Sequence, residues 1–327
     1  MFAPGGDGTH PEPMAEASAR LPRIITRSDA LDRGLSTREI RAHVRTRLWV
    51  PLDTGTYLTR VEEHPDPFVA ERDLHIDRCV AGARRHEGSA LAFGSCAVAR
   101  GLPLVSGVPR LGQLIVTAGG WTGIRNGVRY RAMQVEPDHL TDLDVHGDGT
   151  TVRATTAART LADVARTMSP ADAMAAGDAA LRAGMTTADE VLRILTGMRH
   201  VRGCRTAVPV VDLWDPRRET ALESWSALRF WQWGLPDPTP QVDFYDEEGF
   251  IGRVDFFWED FGVIGEADGR SKYTEPEALY AEKRREDRLR RARGCRDLIR
   301  WGWEDLRSPK DRALRLQLTA ALMRHRR

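Results

Sequence analysis

A multi-domain α/β protein is the fold class this sequence predicts, on three observations. The chain has 327 residues and 41% hydrophobic content, long for one domain and apolar enough for two or three cores. Helical and strand-like patterns alternate along it, separated by turn-forming clusters such as His64-Pro65-Asp66-Pro67 and Trp214-Asp215-Pro216. Tryptophan is unevenly spread, with seven of nine beyond residue 213, so the last third is built differently from the rest. No uninterrupted apolar run approaches the length of a membrane span, and no membrane partner is expected.

Residues 1–20 are rich in Gly, Pro, Glu and Ala and lack the basic segment and apolar block of a signal peptide; a disordered tail is expected. The cysteines Cys79, Cys96, Cys204 and Cys295 form no Cys-x-x-Cys pair, which argues against a zinc site or a disulfide framework and fits a reducing cytoplasm. A net charge of +1 conceals two basic segments. Nine arginines lie between Arg20 and Arg60 against Asp29, Asp32, Glu39 and Asp53, and ten basic residues lie between Arg270 and Arg296 against five acidic ones. Local excess of this kind in a nearly neutral chain points to nucleic-acid contact, with solvated helix faces as the alternative. Of 48 basic residues only Lys272, Lys283 and Lys310 are lysine.

Residues 21–62 read as a winged helix-turn-helix. A first helix runs from about Thr26 or Ser28 to Arg33 and is ended by Gly34. Ser36-Thr37-Arg38-Glu39 is a capping box for a second helix through Val44. Ile40 and Val44 share one face of that helix, which leaves Arg38, Arg41 and Arg45 to face outward. Leu48–Leu52 and Gly55–Leu58 around Asp53-Thr54 form a hairpin, the wing. If the second helix enters a major groove, the three arginines contact DNA; otherwise they only solvate it.

Residues 66–200 read as a mixed helical and strand module. Helices are expected over Phe68–Arg85, Ser95–Gly101, Thr155–Met168 and from Ser169-Pro170 to Arg182, with another after Thr187-Ala188-Asp189-Glu190. Strands are expected near Leu114–Thr117 and Arg129–Val135. His75, His86, His139 and His146 lack metal-ligand spacing, and no catalytic constellation is read in this module.

Residues 217–308 begin with a helix from Glu219 to Trp233, ended by Gly234. A hairpin of Gln241–Tyr245 and Phe250–Trp258 turns around Asp246-Glu247-Glu248-Gly249, and Phe261–Ala267 adds a third strand. A long basic helix from about Glu275 to Arg293 leads to a strand over Leu298–Trp301. Helix, three meandering strands, helix, strand is the order of an α/β/α sandwich. Trp225, Trp231 and Trp233 lie at helical spacing and are assigned to the core. Residues 309–327 hold a terminal helix, from Asp311 to Met323.

Two of the strands carry acids that a core strand has no reason to hold: Asp255 in Arg253-Val254-Asp255-Phe256, and Glu266 and Asp268 in Gly265-Glu266-Ala267-Asp268-Gly269. A buried carboxylate must be paired, metal-bound or protonated. Neighbouring strands could bring these groups to one divalent cation, a geometry suited to phosphodiester hydrolysis. They could equally serve a salt-bridge network with the Arg284–Arg293 helix. No histidine lies between residues 201 and 307, which excludes a histidine general base there.

Those residues, with Leu222-Glu223-Ser224, Gly234-Leu235-Pro236, Gln241, Lys272-Tyr273, Glu282–Asp287 and Ile299-Arg300-Trp301, resemble the PD-(D/E)XK nuclease superfamily. The likeness covers about Glu219 to Leu306 and is nearest to the restriction-endonuclease-like domains akin to very-short-patch-repair endonucleases. It implies that Asp255 and Glu266 hold Mg²⁺ or Mn²⁺, with Asp268 a further ligand and the Ala267 carbonyl another candidate. It implies Glu223 as an outer acid or second ligand of the same site, and Lys283, Arg284, Arg285 and Arg288 as phosphate contacts beside it. The superfamily has Lys where this chain has Asp268, and Lys272 or Lys283 would have to supply that cation. Ile25-Thr26-Arg27, Gly34-Leu35-Ser36 and Gly55-Thr56-Tyr57-Leu58 similarly resemble AbiEi-type antitoxins of type IV toxin–antitoxin systems. Three functions follow as expectations: a metal-dependent DNA endonuclease, a non-catalytic DNA-binding repressor on a nuclease fold, or an antitoxin that neutralises a nucleotidyltransferase toxin.

Overall fold

The computed structural model describes residues 21–60, 64–117, 121–269 and 276–325. The expected tail at 1–20 and Lys272 lie outside them. The chain divides into two compact units, one comprising residues up to Ser95 with Val108–Ala154, the other Cys96–Gly107 with Thr155 onward. The module expected at 66–200 is thereby shared, its strands falling in the first unit and its helices from Ala157 on in the second. The fold class is mixed α/β, with three separate sheets.

The first unit opens with β1 (Ile24–Thr26), α1 (Arg27–Asp32) and α2 (Thr37–Arg45), then β2 (Val50–Asp53) and β3 (Thr56–Leu58). The strands pair in the order β1-β3-β2, so the hairpin closes back onto the strand preceding the helices. Thr26 and Ser36 each complete a capping box, with Asp29 and Glu39 respectively, which is why both helices start where they do. Ile25, Ala30, Ile40 and the fully buried Trp49 form the core beneath.

Behind this piece α3 (Pro67–Arg85), started by Pro67 with Asp66 as cap, packs on a six-stranded sheet. Its strands are β4 (Ser89–Leu91), β5 (Gly112–Val116), β6 (Gly123–Arg125), β7 (Val128–Ala132), β8 (Leu140–Asp144) and β9 (Thr151–Thr155), in the order β6-β7-β5-β4-β9-β8. Three polar links tie α3 to the N-terminal piece. Arg23 forks onto Asp77 at 3.0 Å through two nitrogens, Arg84 donates to the Ile24 carbonyl, and Arg85 reaches Asp53 at 3.3 Å. In this sheet the strands β4, β6, β8 and β9 were not expected. β8 reads Leu-Thr-Asp-Leu-Asp and lies at a sheet edge, where charged residues are tolerated and the apolar alternation fades. The helix expected over Ser95–Gly101 is α4, Phe93–Ala99.

In the second unit α5 (Ala157–Thr167), α6 (Pro170–Arg182), α7 (Ala188–Gly197) and α8 (Cys204–Val211) pack together, and α6 packs on α9 (Ala221–Trp233). α8 was not expected; it contains Pro209, which reads as a helix breaker. A four-stranded sheet follows, in the order β10 (Thr239–Asp246), β11 (Gly249–Trp258), β12 (Val263–Ala267), β13 (Asp297–Trp301). The first two pairings are antiparallel, whereas β12 and β13 run parallel, joined through α10 (Pro276–Arg291).

Consecutive strand residues point to opposite faces, and β12 shows both. Ile264 enters a core with Val254, Leu289 and Leu298 on the α10 side. Gly265 faces Trp258 and Trp301, where Phe230 of α9 packs edge-on against Phe256 and Trp301. Trp301 closes that face by donating its indole N–H to Ser226 Oγ at 2.7 Å. Trp231 departs from its expected core role: it is 48% exposed, while Trp225 is buried. The terminal helix α11 spans Asp311–Arg324.

Candidate nucleic-acid interface and carboxylate site

On α2 the buried side is Ile40 and His43, the latter tilted at 40° against Trp49 with ring centroids 4.9 Å apart. Arg38, Arg41 and Arg45 are all exposed and fall within an arc of about 60° on the opposite side. The one acid on the helix, Glu39, is committed to the cap. It accepts from the Ser36 N–H at 2.7 Å and from Ser36 Oγ at 2.6 Å, and these bonds hold its carboxyl below the usual range. None of the three arginines is paired with another described residue, and Arg33 and Arg47 at the helix's two ends are exposed as well. The result is an uncompensated cationic ridge.

The basic helix α10 is different. Arg285 binds Glu266 and Glu282, Arg288 binds Asp246 at 2.5 Å, and Arg290 binds Glu286 at 2.7 Å. Of the residues expected to touch phosphate there, Arg285 and Arg288 are already neutralised within the fold. Lys283 and Arg284 remain exposed.

The carboxylates gather where β11 and β12 part. Pairing between the two strands ends at Phe256 and Gly265, and Asp255 Oδ2 accepts the Ala267 N–H at 2.8 Å in place of the next ladder bond. Burial pushes the Asp255 carboxyl up to about 7, the nearby Glu223 and Glu266 carboxylates adding to the rise while the Ala267 N–H opposes it. Glu223 is 3% exposed and accepts from the Glu219 N–H at 2.9 Å, Thr220 Oγ1 at 2.8 Å and Gln241 Nε2 at 2.8 Å, so it also caps α9. Gln241 reaches it from a left-handed backbone, φ 56°.

Glu266, 6% exposed, receives Arg285 Nη2 on both oxygens, at 2.8 and 2.9 Å, and Arg300 Nη2 at 2.8 Å. Asp268 lies outside this cluster: it is exposed, its N–H bonded to the Trp301 carbonyl at 2.8 Å. Asp255, Glu223 and Glu266 thus feel one another, yet among the described residues no three His, Cys, Asp or Glu side chains are arranged to hold a metal ion. Both statements hold because electrostatic influence crosses several ångströms of protein, whereas Mg²⁺ needs oxygens converging at about 2.1 Å. As arranged, the expected ligand set Asp255, Glu266, Asp268 does not fit Mg²⁺ or Mn²⁺.

Glu282 and Arg300 are cluster members that the sequence showed only among the residues carrying the resemblance, with no role in the site assigned to them. Arg300 carried a signal: an arginine between Ile299 and Trp301 on an apolar strand requires a partner. In the first unit two of the histidines that lack metal-ligand spacing are paired within the fold and largely buried, His146 against Asp77 at 2.9 Å and His75 against Ser95 Oγ at 2.8 Å.

No protein-family model matches the chain. Two curated relatives, the uncharacterized proteins MT2308 and Rv2248 of two Mycobacterium tuberculosis strains, are each 32% identical over 132 residues, 40% of this chain and 49% of the relative. The chain thus spans about half the length of the curated relatives it matches. The crystal structure of RV2827C protein from Mycobacterium tuberculosis aligns over 72% of this chain and 87% of that one, with a TM-score of 0.39 and 14% identity, too distant to carry an argument.

Proposed function

We propose that this protein binds DNA through α2, used as the recognition helix of a winged helix-turn-helix, and acts as a non-catalytic regulator of the antitoxin or repressor kind. Its C-terminal sheet, of restriction-endonuclease-like layout, serves as a scaffold. The observation that carries this reading is the ridge of Arg38, Arg41 and Arg45, cations on α2 that no acid among the described residues neutralises. An isolated stripe of exposed guanidinium groups gains little for folding and much for phosphate binding. Fluorescence anisotropy with labelled duplex DNA tests it. Arg41→Ala should weaken binding uniformly across sequences and lower the salt slope by about 1, as expected when one phosphate is no longer held by a guanidinium. An unchanged affinity with the fold intact removes the reading.

The endonuclease remains a second reading, favoured by one observation: burial, with the nearby Glu223 and Glu266 carboxylates adding to it, raises the Asp255 carboxyl to about 7. Against it stands the hold of Arg285 and Arg300 on Glu266. Nicking of plasmid DNA in Mg²⁺ or Mn²⁺ that disappears in both Asp255→Ala and Glu266→Ala would reinstate it. An antitoxin of this kind would have a nucleotidyltransferase toxin as its protein partner, and co-purification with a neighbouring toxin is the direct test.

A further inference from the structure

The fork between β11 and β12 carries its own countercations. Three carboxylates surround two guanidinium groups: Glu266 on β12, and Glu282 and Glu286 on α10, against Arg285 on α10 and Arg300 on β13. Arg285 gives Nη2 to Glu266 at 2.8 Å and both Nε and Nη2 to Glu282, at 2.9 and 3.0 Å. Arg300 gives Nη2 to Glu266 and to Glu282, and its Nη1 lies 3.6 Å from Glu286. Arg285 therefore bridges two acids and Arg300 three, and the network ties β12, α10 and β13 together.

The seat for Arg285 is built from a second direction. A Cβ on Gly252 of β11 would stand 3.1 Å from Arg285 Nη1 and 3.3 Å from its Cδ, so this glycine keeps the strand clear for the arginine. A planar fork meets two carboxylates in a way that an ammonium does not. A divalent cation entering at Glu266 would have to displace two guanidinium groups and leave them half-buried without that partner, which is expensive.

We propose that Arg285 and Arg300 are the resident cations of this fork, that they take the electrostatic place of a divalent metal, and that the β12–α10–β13 corner holds together without one. The ridge on α2 has no part in this, so either reading can fail alone.

The test uses the full chain and the metal itself. Wild-type protein should take up no Mn²⁺ by electron paramagnetic resonance titration at micromolar metal, and should melt at the same temperature in EDTA and in Mg²⁺. Arg285→Gln with Arg300→Gln uncovers the carboxylates. It should melt below wild type in EDTA and recover about half or more of that loss in Mn²⁺, because a ligand bound only by the folded state stabilises it. Stoichiometric Mn²⁺ uptake by wild type that is lost in Glu266→Gln overturns the proposal, as does a double variant that melts lower and gains nothing from metal. Should the double variant fail to fold, the wild-type titration decides alone, with Arg285→Lys, which keeps the charge but loses the fork, expected to melt below wild type without acquiring Mn²⁺.

Discussion

Arg47 closes α2 with a left-handed backbone, φ 61°, a conformation that glycine adopts freely and arginine does not. Its N–H still caps the Val44 carbonyl at 3.2 Å, and its side chain is exposed. A cation near a helix C-terminus regains part of the strain through the helix dipole. Arg47→Gly should therefore stabilise the fold by about 0.5 kcal/mol in urea denaturation, and it should weaken DNA binding if the ridge extends this far.

Asp255 makes the other residue-scale prediction. Its carboxyl titrates at about 7 in the fold and at 3.8 as the unperturbed group. Between those values the folded state keeps a proton that the unfolded chain has released, so stability falls as pH rises from 3.8 to about 7 and levels off above. Asp255→Asn retains an acceptor for the Ala267 N–H and removes the fall. It should melt higher than wild type at pH 8, with the difference vanishing toward pH 4. His75 has the opposite sense: burial lowers it from 6.5 to about 4, so the stability it contributes is full above 6.5 and is lost as pH drops toward 4.

Among the elements, α2 and α10 show how similar composition is put to different ends. Both read as basic helices, but α10 packs where Glu266, Asp246 and the strand arginine Arg300 can reach it, and its Arg285, Arg288 and Arg290 are answered by acids. The α2 arginines meet no acid among the described residues. A window of sequence displays charges but not what will lie across from them. The strands β10 to β13 were legible because Asp246-Glu247-Glu248-Gly249 and Gly294 punctuate them, and the caps of α1 and α2 were legible because a capping box is local. β4 and α8 were not: β4 has three residues, and α8 keeps Pro209 only through tertiary packing. One close approach is equally invisible in the sequence. Gly177 of α6 lies under the Trp214 indole, where a Cβ would stand 2.1 Å from the ring. Trp214 is buried, so Gly177→Ala should lower stability by about 2–3 kcal/mol in urea denaturation.

For the whole molecule, 48 basic and 47 acidic residues leave no general field to draw nucleic acid in. Affinity must come from a local surface, and its salt dependence reports how many phosphates that surface holds. With the three arginines of the α2 ridge alone, the logarithm of affinity should fall against the logarithm of salt with a slope of about −3. A slope of about −4.5 would mean that two further cations join in, as Lys283 and Arg284 of α10 could. No helix among the described residues is long and apolar enough to cross a membrane.

By itself the sequence determined what depends on neighbours along the chain: the capped helices, the acidic hairpin strands, the outward arginines of α2 and the mixed α/β class. The tertiary structure alone decided what becomes of the carboxylates. Glu266, Arg285 and Arg300 come from three separate elements, and whether an acid meets a metal, a proton or a guanidinium depends on which cation the folded chain brings within reach of it.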